Sequence, residues 1–255
     1  MRLTVVGSGT AAPEPERVCS GYGVETAATR LLLDCGPGVV HRMAALGVPW
    51  PRLDHVLFTH FHNDHTGDLP TLFFALKWGV VERRTAPLTL WAPRGIRDRL
   101  RAMEAAFGDH VADPGFPVVV REIGPGESFT AGDVVIAVAN TPHTPESVAY
   151  RIDRAGVRLG YTGDTGPSEE LGPFFTGCDV LLAECSLPDE EATDNHLSPA
   201  SLAALATAAA PHRLVVTHVY PRLDALDPLA LLRRAGWAGH TLRARDGLAL
   251  SVGER

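Results

Sequence analysis

Thr59-His60-Phe61-His62-Asn63-Asp64-His65 places three imidazoles and a carboxylate in six consecutive positions, directly after the apolar run Val56-Leu57-Phe58. A buried strand ending at Thr59 predicts that His60 and His62, two residues apart, are delivered toward one side. Asp64 and His65 then fall on the turn and reach the other side. One short loop can therefore serve two metal ions. Neutral imidazole with carboxylate suits zinc, with manganese or iron as alternatives. A His-rich surface loop is the competing reading, but packing alone does not explain so many ligand-type residues straight after an apolar strand.

The spacing His60-x-His62-x-Asp64-His65 resembles the signature of the metallo-β-lactamase superfamily. The flanking Leu53-Asp54-His55-Val56-Leu57-Phe58-Thr59-His60 resembles its ribonuclease Z-like branch in particular. That resemblance implies an α/β (α+β) chain folded as a four-layer αββα sandwich, with residues 1–255 forming one domain.

Bulk properties agree with such a chain. At 255 residues it can bury a sizeable core, and 45% hydrophobic with 21% charged residues is an ordinary globular composition. No apolar run approaches a membrane span, and Met1 to Gly7 reads as a first strand rather than a secretory signal, so a cytoplasmic location without membrane contact is expected. Cys19, Cys35, Cys178 and Cys185 form no CxxC pair and are expected as buried thiols. A net charge of −7 speaks against a general nucleic-acid binder, which needs a basic surface to track phosphates.

Outward from the histidine stretch, strands and helices alternate. Strands are predicted at Leu3–Val6, Ser20–Glu25, Thr29–Asp34 and Asp54–Thr59, with helices near Val39–Leu46 and Asp68–Trp78. Gly7-Ser8-Gly9-Thr10 resembles a nucleotide loop only in part, since Ala12 stands at the third glycine position and Pro13 follows. Leu88–Trp91 reads as a strand and Arg94–Phe107 as an amphipathic helix. Val118–Arg121 and Val134–Ala139 are expected to begin a second series of strands. Ser147–Ile152 and Val157–Tyr161 read as a hairpin over Asp153-Arg154-Ala155-Gly156, and Asp179–Glu184 and Arg213–Thr217 as buried strands. Ser198 is a natural N-cap with Pro199 in the first turn of a helix running to Ala209. The tail from Asp227 to Val252 supplies a helix and a closing pair of strands.

Read alone, His143 after its apolar strand is more often a capped or core histidine than a ligand, and Gly163-Asp164 is as readily a simple turn. The resemblance assigns them. It implies that His60, His62 and His143 hold one zinc and that Asp64, His65 and His218 hold the other, with Asp164 bridging the two. Water bound by such ions is a nucleophile at neutral pH, so no serine or cysteine nucleophile is needed. Asp64 can also steer the proton of that water. The branch has a His-x-Ser/Thr element similar to His196-Leu197-Ser198, which makes His196 the candidate acid for the leaving group; Glu184 is the candidate to orient it.

A nucleophile on one side and an acid on the other suit in-line cleavage of a phosphodiester. Bacterial ribonuclease Z carries a long arm between its third histidine motif and its Gly-Asp motif that grips transfer RNA; only a short hairpin fits between His143 and Asp164. The expected function is thus a dizinc phosphodiesterase acting on small nucleotide or other phosphodiesters, with RNA disfavoured. The alternatives are an ester, lactone or thioester hydrolase, favoured if Phe61, Phe73, Phe74 and Trp78 line an apolar pocket; a tRNA 3′-processing ribonuclease; and a non-hydrolytic metal-binding biosynthetic protein. The family's dimers imply a homodimer.

Overall fold

The structure, a computed structural model, describes residues 1–254. Two seven-stranded sheets lie face to face. The first comprises β1 (Arg2–Gly7), β2 (Gly21–Glu25), β3 (Arg30–Leu33), β4 (His55–Leu57), β5 (Leu88–Pro93), β6 (Val118–Ile123) and β14 (Ala249–Ser251), in the order β14-β1-β2-β3-β4-β5-β6. The second comprises β7 (Ser128–Ala131), β8 (Val134–Asn140), β9 (Val148–Arg154), β10 (Val157–Tyr161), β11 (Val180–Glu184), β12 (Arg213–Thr217) and β13 (Thr241–Arg243), in the order β13-β12-β11-β10-β9-β8-β7.

Both sheets follow one plan. Hairpin-linked antiparallel strands come first, β1-β2-β3 and β7-β8-β9-β10, and parallel strands joined by helical crossovers follow, β3 to β6 and β10 to β13. On the first sheet the outer layer is built from α1 (Val39–Ala45), the one-turn α2 (Asn63–Thr66), α3 (Leu69–Trp78) and α4 (Ile96–Phe107). On the second it is built from α5 (Leu171–Phe175), α6 (Pro199–Ala209), α7 (Pro221–Asp224) and α8 (Pro228–Arg234). The four-layer α/β sandwich expected from the resemblance is the architecture observed.

Three local expectations change. The strand at Val118 closes the first sheet instead of opening the second, because the crossover through α4 returns the chain parallel to β5. Ser128–Ala131 is a further strand, short and at a sheet edge; its alternation, Phe129 and Ala131 inward with Ser128 and Thr130 exposed, spans only four residues. The two tail strands do not pair with each other: β13 joins β12 and β14 crosses to β1. Between them, Asp246 accepts hydrogen bonds from the Ser8 and Val18 amides, 2.9 Å each, and so ties the glycine-containing turn after β1 to the tail.

The inter-sheet core carries three fully buried tyrosines, Tyr22, Tyr150 and Tyr161. Buried phenols need partners for their hydroxyls. Tyr22 meets Thr217 Oγ1 at 2.8 Å, Tyr150 donates to the Phe58 carbonyl at 2.5 Å, and Tyr161 donates to Asp34 at 2.6 Å. Each ring packs in the apolar core while its hydroxyl reaches the same end of the sandwich. That end holds the histidine cluster.

Candidate metal centre

The strands β3, β4, β8, β10, β11 and β12 all stop at this end, so their following loops converge. The strand before the histidine stretch ends at Leu57, two residues earlier than predicted. Asp34 explains the early stop. Its carboxylate accepts from the Thr59 amide at 2.8 Å and from Thr59 Oγ1 at 2.9 Å, which takes the chain out of the ladder. His60 therefore lies on an extended loop, His62 is the N-cap of α2, and that single turn carries Asp64 and His65.

Backbone strain marks two other arrivals. Asp34 and His218 adopt left-handed φ values of 55° and 51°, uncommon for residues with a Cβ and found where surrounding structure over-determines the position. Gly163, at φ 57°, precedes Asp164; a Cβ there would lie 2.7 Å from Thr59 Cβ, so only glycine lets the two loops approach.

Seven ligand-type side chains from these loops meet. One potential ligand atom from each of His60, His62, His143 and Asp164 lies within 4.8 Å of the others, and the same holds for Asp64, His65 and His218. Asp164 sits between the two groups. Its Oδ2 faces His60 Nε2 at 3.9 Å and His143 Nε2 at 3.8 Å, while its Oδ1 faces His65 Nε2 at 3.3 Å. His196 forms a further group with Asp164 and His218.

Hydrogen bonds to the outer nitrogens fix three of the rings. Nδ1 of His65 donates to Asp34 at 2.9 Å, and Nδ1 of His143 donates to the Asn195 carbonyl at 2.8 Å. Nδ1 of His60 lies 3.1 Å from Thr59 Oγ1, whose own proton goes to Asp34. Each ring thus turns its Nε2 inward. Nε2 of His60, Nε2 of His65 and Oδ1 of Asp164 are buried without any hydrogen-bond partner. Buried polar atoms left unpaired cost about 1–3 kcal/mol each unless something binds them, and several converging at one point fit a cation that displaces the His65 proton. The donor set of nitrogen and carboxylate oxygen is the one that divalent transition metals take.

Protonation follows the same field. Burial, followed by the neighbouring His65, holds the His60 imidazole well below its ordinary range, so its lone pair stays free. Burial also opposes charge on His65, but the carboxylates of Asp164 and Asp34 outweigh it and raise that imidazole well above its usual value. Burial likewise opposes ionisation of Asp164, and the imidazoles of His218 and His65 outweigh it. The pocket favours a positive charge among its histidines, and metal binding would displace that proton.

His196 is placed differently. Its Nδ1 donates to Glu184 Oε1 at 2.9 Å, and its ring centroid lies 4.8 Å from that of His143 and 6.0 Å from that of His218. Glu184, at the end of β11 and 1% exposed, also accepts from the Thr165 amide at 2.7 Å and the Leu197 amide at 3.2 Å. One carboxylate therefore fixes both His196 and the residue after Asp164. Burial works against charge on His196, but the Glu184 hydrogen bond raises its pKa. The capping box at Ser198, with Pro199 in the first turn of α6, holds the loop from the other side.

Asp34 is the residue whose role the sequence did not disclose. A carboxylate following the wholly apolar Leu31-Leu32-Leu33 was its available signal. Asn195 acts through its main-chain carbonyl, so its side chain carries no signal at all. The four aromatics weighed for an apolar pocket do not form one: Phe73 is in the core beneath α3, whereas Phe74 and Trp78 are 53% and 66% exposed on that helix's outer side. Helical spacing explains it, because Phe74 follows Phe73 by one position and turns about 100° away. Burial pushes the Cys19 thiol up to about 11, so this cysteine is no thiolate nucleophile.

Known proteins agree with the architecture. The profile described as a beta-lactamase superfamily domain matches residues 29–219. A ribonuclease Z of Mycobacterium bovis is 31% identical over 244 residues, 88% of this chain and 87% of its own. Among solved structures, the metallo-beta-lactamase fold protein YhfI from Bacillus subtilis superposes with a TM-score of 0.83 at 23% identity, covering 98% of both chains. The short form of human tRNase Z superposes with a TM-score of 0.79 at 23% identity, covering 100% of both chains. With a histidine and aspartate cluster able to bind metal where the strands end, the chain is a hydrolase of the metallo-β-lactamase fold and belongs to the β-lactamase superfamily.

Proposed function

We propose that the protein is a dinuclear zinc phosphodiesterase acting on small nucleotide-type phosphodiesters. One observation carries the reading: two groups of inward-facing ligands share Asp164, and a hydrogen-bonded acid, His196, stands beside both. In this reading His60, His62 and His143 hold one ion, Asp64, His65 and His218 the other, and Asp164 bridges them. Bound there, the ions supply Lewis acidity toward a phosphoryl oxygen and a water that ionises near neutral pH.

The chain's own groups do the rest. Asp34 keeps the proton of His65 on Nδ1, and the Asn195 carbonyl does the same for His143, so ligand geometry is set before any substrate arrives. Glu184 holds the Nδ1 proton of His196, which leaves Nε2 to give a proton to the departing alkoxide. Asp64, with Oδ2 3.2 Å from His218 Nε2, is the group that steers the proton of the attacking water.

The choice of small substrates rests on the segment between His143 and Asp164. There β9 and β10 are joined through Ala155 and Gly156, with φ of 49° and 83°, a tight hairpin turn of the type I′ kind with no room for an RNA-gripping arm. Identity with ribonuclease Z relatives favours a second reading, processing of transfer RNA. The test is hydrolysis of bis(p-nitrophenyl) phosphate by zinc-loaded protein with an EDTA-treated control, beside a p-nitrophenyl ester, a lactone and a precursor transfer RNA. Metal-dependent diester cleavage with the precursor left intact is expected. Cleavage of carbon esters alone would move the chain to acyl hydrolysis, and efficient trimming of the precursor would move it to RNA processing.

A further inference from the structure

Beside the metal loops, at the start of α4, lies a cleft of about 340 Å³ lined by Phe61, Arg94, Gly95, Asp98, Arg99 and Glu146 among others. It adjoins the centre on two sides. Phe61 stands between His60 and His62, and Glu146 belongs to the loop that carries His143. Phe61 and Gly95 are in close register, since a Cβ on Gly95 would lie 3.7 Å from the Phe61 ring.

Four arginines surround the first turns of α4, and they divide sharply. Arg97 pairs with Glu122 at 3.9 Å, and Arg101 pairs with Asp98. Arg94 and Arg99, both exposed and both lining the cleft, have no ion-pair partner among the described residues; the Arg99 guanidinium rests over the Phe61 ring, 5.5 Å from its centroid. The cleft thus presents two guanidinium groups free of ion pairs, beside the carboxylates of Glu146 and of Asp98, the latter engaged by Arg101. The N-terminus of α4 is already served by the chain itself, since the Gly95 amide donates to Glu122 Oε1 at 2.9 Å, so the two arginines are what the cleft offers an anion. In a chain of net charge −7, two arginines without ion-pair partners among the described residues, side by side next to the metal loops, stand apart.

We propose that Arg94 and Arg99 form a phosphate subsite, and that the preferred substrate bears a second phosphate beside the scissile diester. Resting on the phosphodiesterase reading above, this selects short, terminally phosphorylated oligonucleotides over cyclic mononucleotides and simple diesters. A guanidinium fork matches two phosphate oxygens, and the Phe61 ring supports the Arg99 guanidinium from one face.

Calorimetric titration of the zinc-loaded protein with thymidine 3′,5′-bisphosphate and with thymidine 5′-monophosphate tests the subsite independently of turnover. The bisphosphate is expected to bind about tenfold more tightly, the lower range for a charge-assisted contact at an exposed site. In R94Q/R99Q that advantage should fall below about twofold, and in R94K/R99K part of it should return, because charge survives while the fork is lost. Equal affinity for the two nucleotides in the unaltered protein, or an advantage that persists in R94Q/R99Q with full zinc content, overturns the subsite. Failure of the phosphodiesterase reading is a separate result, seen as inertness toward bis(p-nitrophenyl) phosphate, and leaves the calorimetric answer intact.

Discussion

The two ends of the sandwich use the same kinds of side chain to opposite effect. At the end away from the metal centre, Asp133 accepts from Thr26 Oγ1 at 2.6 Å and from Arg154 Nε at 2.6 Å, while its amide donates to Thr29 Oγ1 at 3.0 Å. These groups answer one another and stitch the turns of both sheets together, while two scattered nitrogens at the same end, Arg30 Nε and Arg213 Nε, are buried without a partner among the described residues. At the opposite end Asp34 is just as well satisfied, with Thr59, Tyr161 and His65 as donors, but one step inward the pattern breaks off. Nε2 of His60 and His65 and Oδ1 of Asp164 are buried and unanswered. The unpaired atoms of the far end are isolated from one another, whereas those at the metal end converge, and that difference separates scaffold from site.

The largest break in the contrast comes from Asp164. Replacing the shared carboxylate, Asp164→Ala, is expected to release at least one of the two metals and to lower diesterase activity by more than the roughly 10–100-fold that loss of an outer partner costs. Metal analysis of the purified variant checks this. Two zinc ions retained per chain would refute the bridging role of Asp164. Next comes His196→Ala, which removes an acid but no proposed ligand: both metals should stay, with turnover down by about 10²–10⁴-fold. Unchanged turnover would return His196 to an ordinary loop residue. Glu184→Gln should act in the same direction but less strongly, since a neutral amide can still orient the ring while no longer favouring its charged form.

Much of this was legible in the sequence because ligand-type residues follow strong apolar strands, and strands of period two or unbroken hydrophobicity are easily read. His60, His143, Asp164 and His218 each come a few residues after such a run. The pairing of Glu184 with His196 was legible only through family resemblance, since the two are twelve residues apart and meet through the loop that precedes α6. Asp34 was hidden for a different reason. Its partners come from Thr59, His65 and Tyr161, on both sheets, and long-range register of that kind has no local periodicity. The destinations of β6, β13 and β14 failed for the same cause: a strand's pattern announces that it is a strand, while the crossover decides which sheet receives it.

Asp34 is also where the two ends can be compared most finely, because it and Asp133 are both carboxylates held by threonines. Asp34→Asn keeps the shape but loses the charge-assisted bond to His65 Nδ1, and it allows the amide to present a donor where an acceptor is required. Zinc affinity, measured by competition with a chromophoric chelator, should fall by about 10–100-fold, the range for partners that orient a ligand from behind. Asp133→Asn makes the same chemical change at the far end. There the Thr26 and Arg154 contacts are partly exposed to water, so the loss should stay below about 1 kcal/mol of unfolding free energy, with zinc affinity and turnover unaltered. Equal losses of zinc affinity in the two variants would mean that the metal end responds to general loosening of the sandwich. A loss confined to Asp34→Asn would show that the buried carboxylate acts through His65, and that the far-end network serves only to join the sheets.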